Sequence, residues 1–125
     1  MNVPNNLLYT SDHEWIELNQ STAIIGITDF AQSQLGDIIF VEFPNIGETF
    51  PQGSVFGEIE AVKTVSELYT PISGEVISIN EDIGKSPNFI NTDPYGKGWL
   101  MKLKIIDKKE SFGLLKPNEY RKKIF

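Results

Sequence analysis

The sequence contains no cysteine and only one histidine. The missing cysteines exclude disulfide bonds, thiolate metal sites and a cysteine nucleophile, so any dithiol chemistry would have to come from an added group. The single histidine, His13, leaves no multi-histidine metal site. The formal net charge of -6 argues against nucleic-acid binding, which needs a basic surface, and favours steering towards basic patches on partner proteins.

The chain also lacks a long apolar run and a targeting segment. No apolar run approaches the length of a membrane span. The first six residues have neither the charged and apolar layout of a signal peptide nor the arginines of a transit segment, so we expect a cytoplasmic protein. The length of 125 residues predicts one domain, over 1–125, that buries its core without disulfides.

Apolar alternation and turn signals predict a mostly β protein. The predicted strands cover residues 15–18, 23–27, 38–43, 55–62, 65–72, 76–79 and 99–106. In the final strand, the alternation places Leu100 on the same face as Lys102 and Lys104.

Short helices are predicted at the periphery. Thr28 or Asp29 can cap a helix that runs through Gln34, with Gly36 suited to the left-handed position after its end. A second brief helix is predicted to start at residues 86–87 (Ser-Pro) and to run through residue 91. The tail is predicted to form short helices that break at residue 117, a proline.

An internal repeat flanks the middle of the chain. Residues 36–41 (Gly-Asp-Ile-Ile-Phe-Val) are echoed by residues 74–79 (Gly-Glu-Val-Ile-Ser-Ile), and the turn at 45–47 is echoed at 82–84. Two such units predict a quasi-two-fold β-sandwich or flattened barrel, in which each half covers the apolar face of the other. The alternative is coincidence among Ile, Val and Gly in a β-rich sequence.

Lys63 stands between two alternating runs, residues 55–62 and 65–72. In the first run Ile59 and Ala61 share one face, whereas Glu58 and Glu60 share the other. This pattern predicts a hairpin with Lys63 at its tip, where the ammonium group projects into water. The turn itself is weak evidence, because two-residue hairpin loops favour Asn-Gly or similar pairs.

The residues around Lys63 resemble the lipoyl-attachment motif of lipoyl domains, most closely that of the H-protein family of the glycine cleavage system. Residues 60–63 (Glu-Ala-Val-Lys) match three of the four positions of the family's Glu-Ser-Val-Lys pattern, with Ala61 in place of serine. Further matches follow in order between about Asn2 and Tyr120, at residues 11–15, 26–29, 31–32, 35–37, 71–76, 91, 94–95 and 98–99.

Biotin carriers share this architecture and are the main alternative to a lipoyl protein. They usually place methionines beside the modified lysine. Here the neighbours of Lys63 are Val62 and Thr64, and the two methionines, Met1 and Met101, lie far away in sequence. The sequence therefore favours lipoate, attached covalently to Lys63, as the cofactor.

The resemblance implies one lipoyl-bearing domain, with the lipoyl hairpin and core over about 36–84, the final strand over 99–106 and C-terminal short helices over 111–124. It implies a carrier rather than an enzyme. A pyridoxal-phosphate-dependent glycine decarboxylase would load an aminomethyl group, and a tetrahydrofolate-dependent aminomethyltransferase would unload it. Dihydrolipoamide dehydrogenase would reoxidise the dithiol, and a lipoyl ligase or transferase would attach the lipoate. The expected location is the bacterial cytoplasm, or the mitochondrial matrix for a processed form.

The resemblance also implies a cleft into which the loaded arm folds, which protects the aminomethyl group from hydrolysis. Glu14 is the position that it assigns to a polar contact with the amine. Glu67 stands where an aspartate is more usual, and Asp12 where serine or lysine is common; both are further candidate acceptors. The alternative for all three is a solvated surface carboxylate. Phe30 replaces a frequent histidine, so no ring nitrogen is available there.

Two other functions remain open. One is a lipoyl-relay or regulatory H-like protein that donates lipoate to other acceptors. The other is a small enzyme that uses Lys63 as a base or Schiff-base nucleophile, which would require a buried, desolvated amine. A hairpin tip does not provide that environment, and the matches at 11–15 and 91–99 favour the aminomethyl carrier.

Overall fold

Nine strands form two antiparallel sheets in the computed structural model, which describes all 125 residues. The six-stranded sheet has the order β1-β2-β3-β9-β8-β5, with β1 (Leu8–Tyr9), β2 (Glu14–Asn19), β3 (Thr22–Ile27), β9 (Met101–Ile105), β8 (Gly74–Ile79) and β5 (Thr49–Phe50). The three-stranded sheet has the order β4-β6-β7, with β4 (Ile38–Glu42), β6 (Val55–Ala61) and β7 (Val65–Tyr69).

Short helices connect and flank the sheets. They are α1 (Asp29–Leu35), α2 (Asp82–Lys85), α3 (Phe89–Thr92), a 3-10 helix over Lys108–Gly113 and the C-terminal α4 (Pro117–Ile124). None of them has the length and the apolar character that a membrane-crossing helix needs. The proline that was expected to break the tail instead begins α4, where its missing N–H costs nothing.

The main core lies between the two sheets and contains 17 buried residues. β6 shows the predicted alternation: Ile59 and Ala61 are buried, whereas Glu58 is exposed. Each large apolar side chain removed from water contributes about 1.5–3 kcal/mol. The predicted mostly β sandwich is confirmed, with two separate sheets rather than a closed barrel.

The two echoing segments of the sequence lie in different sheets. Residues 38–42 form β4 in the three-stranded sheet, and residues 74–79 form β8 in the six-stranded sheet. The turn after β4 crosses to the opposite sheet, because Gly47 N–H donates to Val76 O and Val76 N–H donates to Glu48 O, both at 2.8 Å. One unit in each sheet is what the predicted sandwich requires.

A second apolar cluster holds the two chain ends together. It consists of Val3, Leu7, Tyr9, Trp15 and Tyr120. The rings of Tyr9 and Tyr120 are stacked, with centroids 4.6 Å apart and an interplanar angle of 7°. This cluster fixes α4 against the first strands of the six-stranded sheet.

The N-cap of α1 is as predicted, and the helix ends one residue later than predicted, at Leu35. Thr28 is the N-cap, and its side-chain oxygen accepts a hydrogen bond from Ala31 N. Gly36 ends the helix with φ 84° and ψ -155°, a backbone conformation that is open essentially to glycine alone. The helix is therefore stopped sharply just before β4.

Two predicted details are wrong. Ser86 does not begin a helix: it ends α2, whose residues were expected to form a turn, and α3 begins after Asn88. Leu100 does not share the exposed face of Lys102 and Lys104, because it precedes β9 and is fully buried. Its N–H donates to Ile25 O at 2.8 Å, which turns the chain inward before the strand begins.

The packing predicts that two isoleucines near the lysine hairpin contribute very differently to the free energy of unfolding. Ile59→Ala should lower the free energy of unfolding by about 2–5 kcal/mol, because Ile59 is 1 % exposed and its loss leaves a cavity. Ile39→Ala should change it by no more than about 0.5 kcal/mol, because Ile39 is 49 % exposed. Urea unfolding measures both, and equal losses would contradict the described core.

Candidate functional site

Lys63 lies at the tip of the hairpin between β6 and β7, and its side chain is exposed. Ala61 N–H donates to Thr64 O at 2.8 Å, which closes the turn. Neither Val62 nor Lys63 has a positive φ, so this is not the Asn-Gly type of hairpin turn. Instead Val62 N–H donates to Asp37 O at 3.0 Å, which ties the tip to the segment before β4.

Asn91, in α3, binds the end of α1 and the start of β4, which lie next to this tip. Its side-chain NH₂ donates to Gln32 Oε1 at 3.0 Å and to Gly36 O at 2.8 Å, and its oxygen accepts from Ile38 N at 3.0 Å. One amide side chain therefore joins α1, the helix-ending glycine and β4. The sequence resemblance included Asn91 but gave it no role.

Two neighbouring cavities share residues of α1 in their linings, and one of them is lined by Lys63. The first, of about 350 Å³, is lined by Ser33, Gln34, Leu35, Gly36, Asp37, Val62 and Lys63. The second, of about 300 Å³, is lined by Asp12, His13, Glu14, Ile27, Phe30, Ala31, Gln34, Leu35, Ile59, Ser66, Glu67 and Leu68. We call the second cavity the cleft. Because Gln34 and Leu35 line both, the cleft borders the space beside Lys63.

The cleft brings together the three carboxylates singled out in the sequence. Asp12 and Glu67 are exposed at its rim, whereas Glu14 is only 2 % exposed. The remaining lining is largely apolar. The structure thus places one buried and two solvated carboxyl groups around a single apolar cavity.

Glu14 is held by two hydrogen bonds. Thr10 Oγ1 donates to its Oε1 at 2.9 Å, and Tyr69 N–H donates to its Oε2 at 3.0 Å. Burial raises the pKa of Glu14 to about 8, although both hydrogen bonds lower it and Asp12 raises it further. At neutral pH the group is therefore mainly a neutral acid, rather than the carboxylate that the sequence suggested.

His13 and Phe30 both line the cleft. Their rings lie 4.8 Å apart in a tilted arrangement. His13 has a φ of 66°, and its Nδ1 lies 2.9 Å from Tyr120 Oη. Burial lowers the pKa of His13, which favours the neutral ring. His13 is thus a packing residue that also borders the cleft, and no group of three or more His, Cys, Asp or Glu residues is arranged to hold a metal ion.

The outer face of the three-stranded sheet, beside the lysine tip, is apolar and acidic. Cross-strand register places Phe40, Glu60 and Val65 in one row, and the next row contains only glutamates, Glu42, Glu58 and Glu67. Phe40 is 56 % exposed and Val65 is 55 % exposed. Lys63 is the only lysine or arginine before Lys85, although thirteen Asp and Glu residues lie in that stretch.

Larger cavities elsewhere contain none of the candidate site residues. One of about 630 Å³ lies around Trp99 and Phe89, where Lys97 Nζ sits 5.5 Å from the Phe89 ring centroid. Its lining includes neither Lys63 nor any of the three cleft carboxylates. The largest of these cavities therefore lies apart from the candidate site residues.

Comparison with known proteins decides the family. The family model described as glycine cleavage H-protein matches residues 7–125. The glycine cleavage system H protein of Halothermothrix orenii is 48 % identical over 120 residues, covering 96 % of this chain and 94 % of that protein. The corresponding protein of Bacteroides thetaiotaomicron is 49 % identical over 121 residues, covering 97 % and 96 %. The chain belongs to the glycine cleavage H-protein family.

A solved structure supports this membership at the level of the fold. The crystal structure of a glycine cleavage system H protein from Mycobacterium marinum matches with a TM-score of 0.89 at 38 % identity, over 96 % of this chain and 97 % of that one. Family membership confirms the predicted lipoyl-carrier role in glycine cleavage and gives no support to the relay alternative.

The buried acid predicts a distinct pH dependence of stability. Below pH 4.5, the ordinary pKa, Glu14 is protonated in both the folded and the unfolded chain. Between pH 4.5 and about 8 only the unfolded chain loses the proton, so folding stability falls as pH rises. Each tenfold difference in proton affinity between the folded and the unfolded chain corresponds to about 1.4 kcal/mol of folding free energy.

Glu14→Gln removes this titration while keeping the side-chain shape. As pH rises from 4.5 to 8, the wild type should therefore lose unfolding free energy relative to Glu14→Gln, and above pH 8 the difference should stay constant. Urea unfolding at several pH values measures it. Parallel curves for the two proteins would show that burial does not raise the pKa of Glu14.

Proposed function

We propose that this family member carries lipoate as an amide on Lys63 and that the cleft shelters the far end of the arm. The observation that supports this most is the position of an exposed lysine, at a hairpin tip held by backbone hydrogen bonds, beside a cavity that borders the cleft containing Glu14. The lipoyl group would supply the reversible disulfide that this cysteine-free chain lacks.

The residues present fit such a group. An amide needs an accessible amine, and Lys63 is exposed. An aliphatic arm needs an apolar path, and Leu35 borders both cavities while Ile27, Phe30 and Leu68 line the cleft. A polar end group needs acceptors, which the three carboxyl groups of the cleft supply.

The strands hold the root of the arm rigidly. Asp37 O and Thr64 O fix the backbone of the tip, and Asn91 fixes the neighbouring helix end. A rigid root with a mobile end presents the cargo to several partners at high effective concentration. Because Lys63 is exposed, it lacks the desolvation that an enzymatic amine nucleophile needs, and we infer a carrier without catalytic activity of its own.

Glu14 would recognise a cationic amine in the cleft. A positive charge close to a buried acid lowers its pKa, so Glu14 would release its proton and accept a charge-assisted hydrogen bond. Asp12 and Glu67 would add negative charge at the rim. Tyr69 supports Glu67, since its hydroxyl lies 3.4 Å from Glu67 Oε1.

The outer face of the three-stranded sheet would dock the partners. We infer that these are the glycine decarboxylase, the aminomethyltransferase, dihydrolipoamide dehydrogenase and the lipoyl ligase or transferase. Its exposed Phe40 and Val65 would supply apolar contact, and the row of glutamates would attract basic surfaces. We further propose that residues 1–125 act as one lipoyl-bearing domain in the bacterial cytoplasm, in line with the bacterial sources of the relatives.

Lys63→Arg tests the attachment site. The variant should fold normally, because an exposed turn position rarely costs more than ~0.5 kcal/mol. It should support no glycine–bicarbonate exchange with the glycine decarboxylase, because arginine cannot form the lipoyl amide. Lys85→Arg, at an exposed lysine outside both cavities, is the matched control and should retain full exchange. Exchange retained by Lys63→Arg would refute the assignment.

Moving the lysine by one position tests how it is presented. In the double variant Val62→Lys with Lys63→Val, the amine takes the place of Val62, whose N–H is tied to Asp37 O. The side chain then leaves the turn in a different direction. We expect little or no lipoylation of this variant by a lipoyl ligase, measured by intact mass. Lipoylation at the wild-type rate would mean that the geometry of the tip does not matter.

A further inference from the structure

Tyr120 joins the C-terminal helix to both walls of the cleft. Its side chain is fully buried. Its hydroxyl oxygen lies 2.7 Å from Thr28 Oγ1 and 2.9 Å from His13 Nδ1. A single hydroxyl therefore contacts two residues that come from different segments of the chain.

Thr28 caps the helix that forms one wall of the cleft. As the N-cap of α1, it accepts from Ala31 N at 3.1 Å. α1 in turn supplies Phe30, Ala31 and other side chains to the cleft. A change in the position of Thr28 Oγ1 would therefore change the first turn of the helix that forms this wall.

His13 belongs to a second wall of the cleft, formed by residues 12–14, which leads into the strand that carries the buried acid. It lines the cleft directly and precedes Glu14 in the chain. Its positive φ of 66° is uncommon for a residue with a side chain and needs surrounding contacts to maintain it. Those contacts include Tyr120 Oη and the Phe30 ring beside the imidazole, together with the backbone bonds from His13 N to Thr10 O at 3.1 Å and from Thr28 N to His13 O at 3.0 Å.

Hydrogen-bond donors and acceptors are balanced in this chain of groups. Each hydroxyl has one proton, and Thr28 Oγ1 already accepts from a backbone N–H. Two donation orders are conceivable: Thr28 donates to Tyr120 and Tyr120 to His13, or His13 donates to Tyr120 and Tyr120 to Thr28. Only the first order gives both hydroxyl protons an acceptor, Tyr120 Oη for Thr28 and His13 Nδ1 for Tyr120, and it is lost when the Tyr120 hydroxyl is removed.

α4 itself is anchored away from the cleft. Arg121 Nη2 donates to Val3 O at 2.7 Å and to Asn5 Oδ1 at 2.6 Å, and the Tyr120 ring is stacked on Tyr9. The position of the Tyr120 side chain is thus fixed by contacts that do not involve the cleft. This makes it a fixed reference point for the two residues it bonds.

We propose that Tyr120 is a positioning residue, whose hydroxyl fixes the first turn of α1 relative to His13 and so sets the shape of the cleft that shelters the lipoyl arm. The sheltering of a lipoyl arm rests on the proposed function. The coupling of Tyr120 to the cleft walls is a property of the unmodified chain. The two parts can therefore be tested separately.

Tyr120→Phe is the test, and Tyr9→Phe is its matched control. Both remove one hydroxyl from the same stacked, buried pair, but Tyr9 Oη donates to Pro4 O at 2.6 Å and bonds neither wall of the cleft. In the unmodified chain, amide hydrogen exchange of Ala31 should become roughly threefold to tenfold faster in Tyr120→Phe. Exchange of core amides such as Leu103 should shift equally in the two variants, which separates a local effect from a general loss of stability.

The lipoylated proteins supply the second readout. After loading with glycine and the decarboxylase, the carrier with Tyr120→Phe should lose its cargo faster in the absence of the aminomethyltransferase, whereas Tyr9→Phe should match the wild type. Equal Ala31 exchange in the two variants, or equal cargo lifetimes, would overturn the proposal. A chain that cannot be lipoylated at Lys63 would instead refute the proposed function, and the exchange measurement would still decide whether Tyr120 fixes the cleft walls.

Discussion

The site depends on one buried carboxyl group that joins the two sheets. Glu14 belongs to β2 in the six-stranded sheet, and one of its oxygens accepts from Tyr69 N–H on β7, the edge strand of the three-stranded sheet. The cleft lies beside this bond. A desolvated acid is costly when ionised, so the buried Glu14, held by this bond between the sheets, favours a positive charge in its cavity.

The lysine hairpin and the cleft are built from different parts of the chain but share α1. The helix is capped at its start by Thr28 and stopped at its end by Gly36, and its last residues border the space beside Lys63. Asn91 then fixes that end to β4. One short helix therefore contributes to the surroundings of both Lys63 and the cleft.

Much of this could be predicted from sequence. The alternation around Ile59 and the cap at Thr28 are local patterns, and both are present as predicted. Lys63 at a tip followed from two runs with a break between them. The two-residue strand β1 is too short to show any alternation, and Leu100 was misplaced because its inward turn depends on a backbone bond to β3.

The ionisation of Glu14 could not be predicted, because it depends on tertiary burial and on contacts with residues 10 and 69. The contacts of Tyr120 and Asn91 likewise could not be predicted, because they join segments that are remote in sequence. The central claim is that Lys63 alone carries the arm, and peptide mass mapping after incubation with a lipoyl ligase, ATP and lipoate tests it most directly. The account predicts a lipoyl increment on the peptide containing Lys63 and on no other; an unmodified Lys63, or an increment on another lysine, would contradict it.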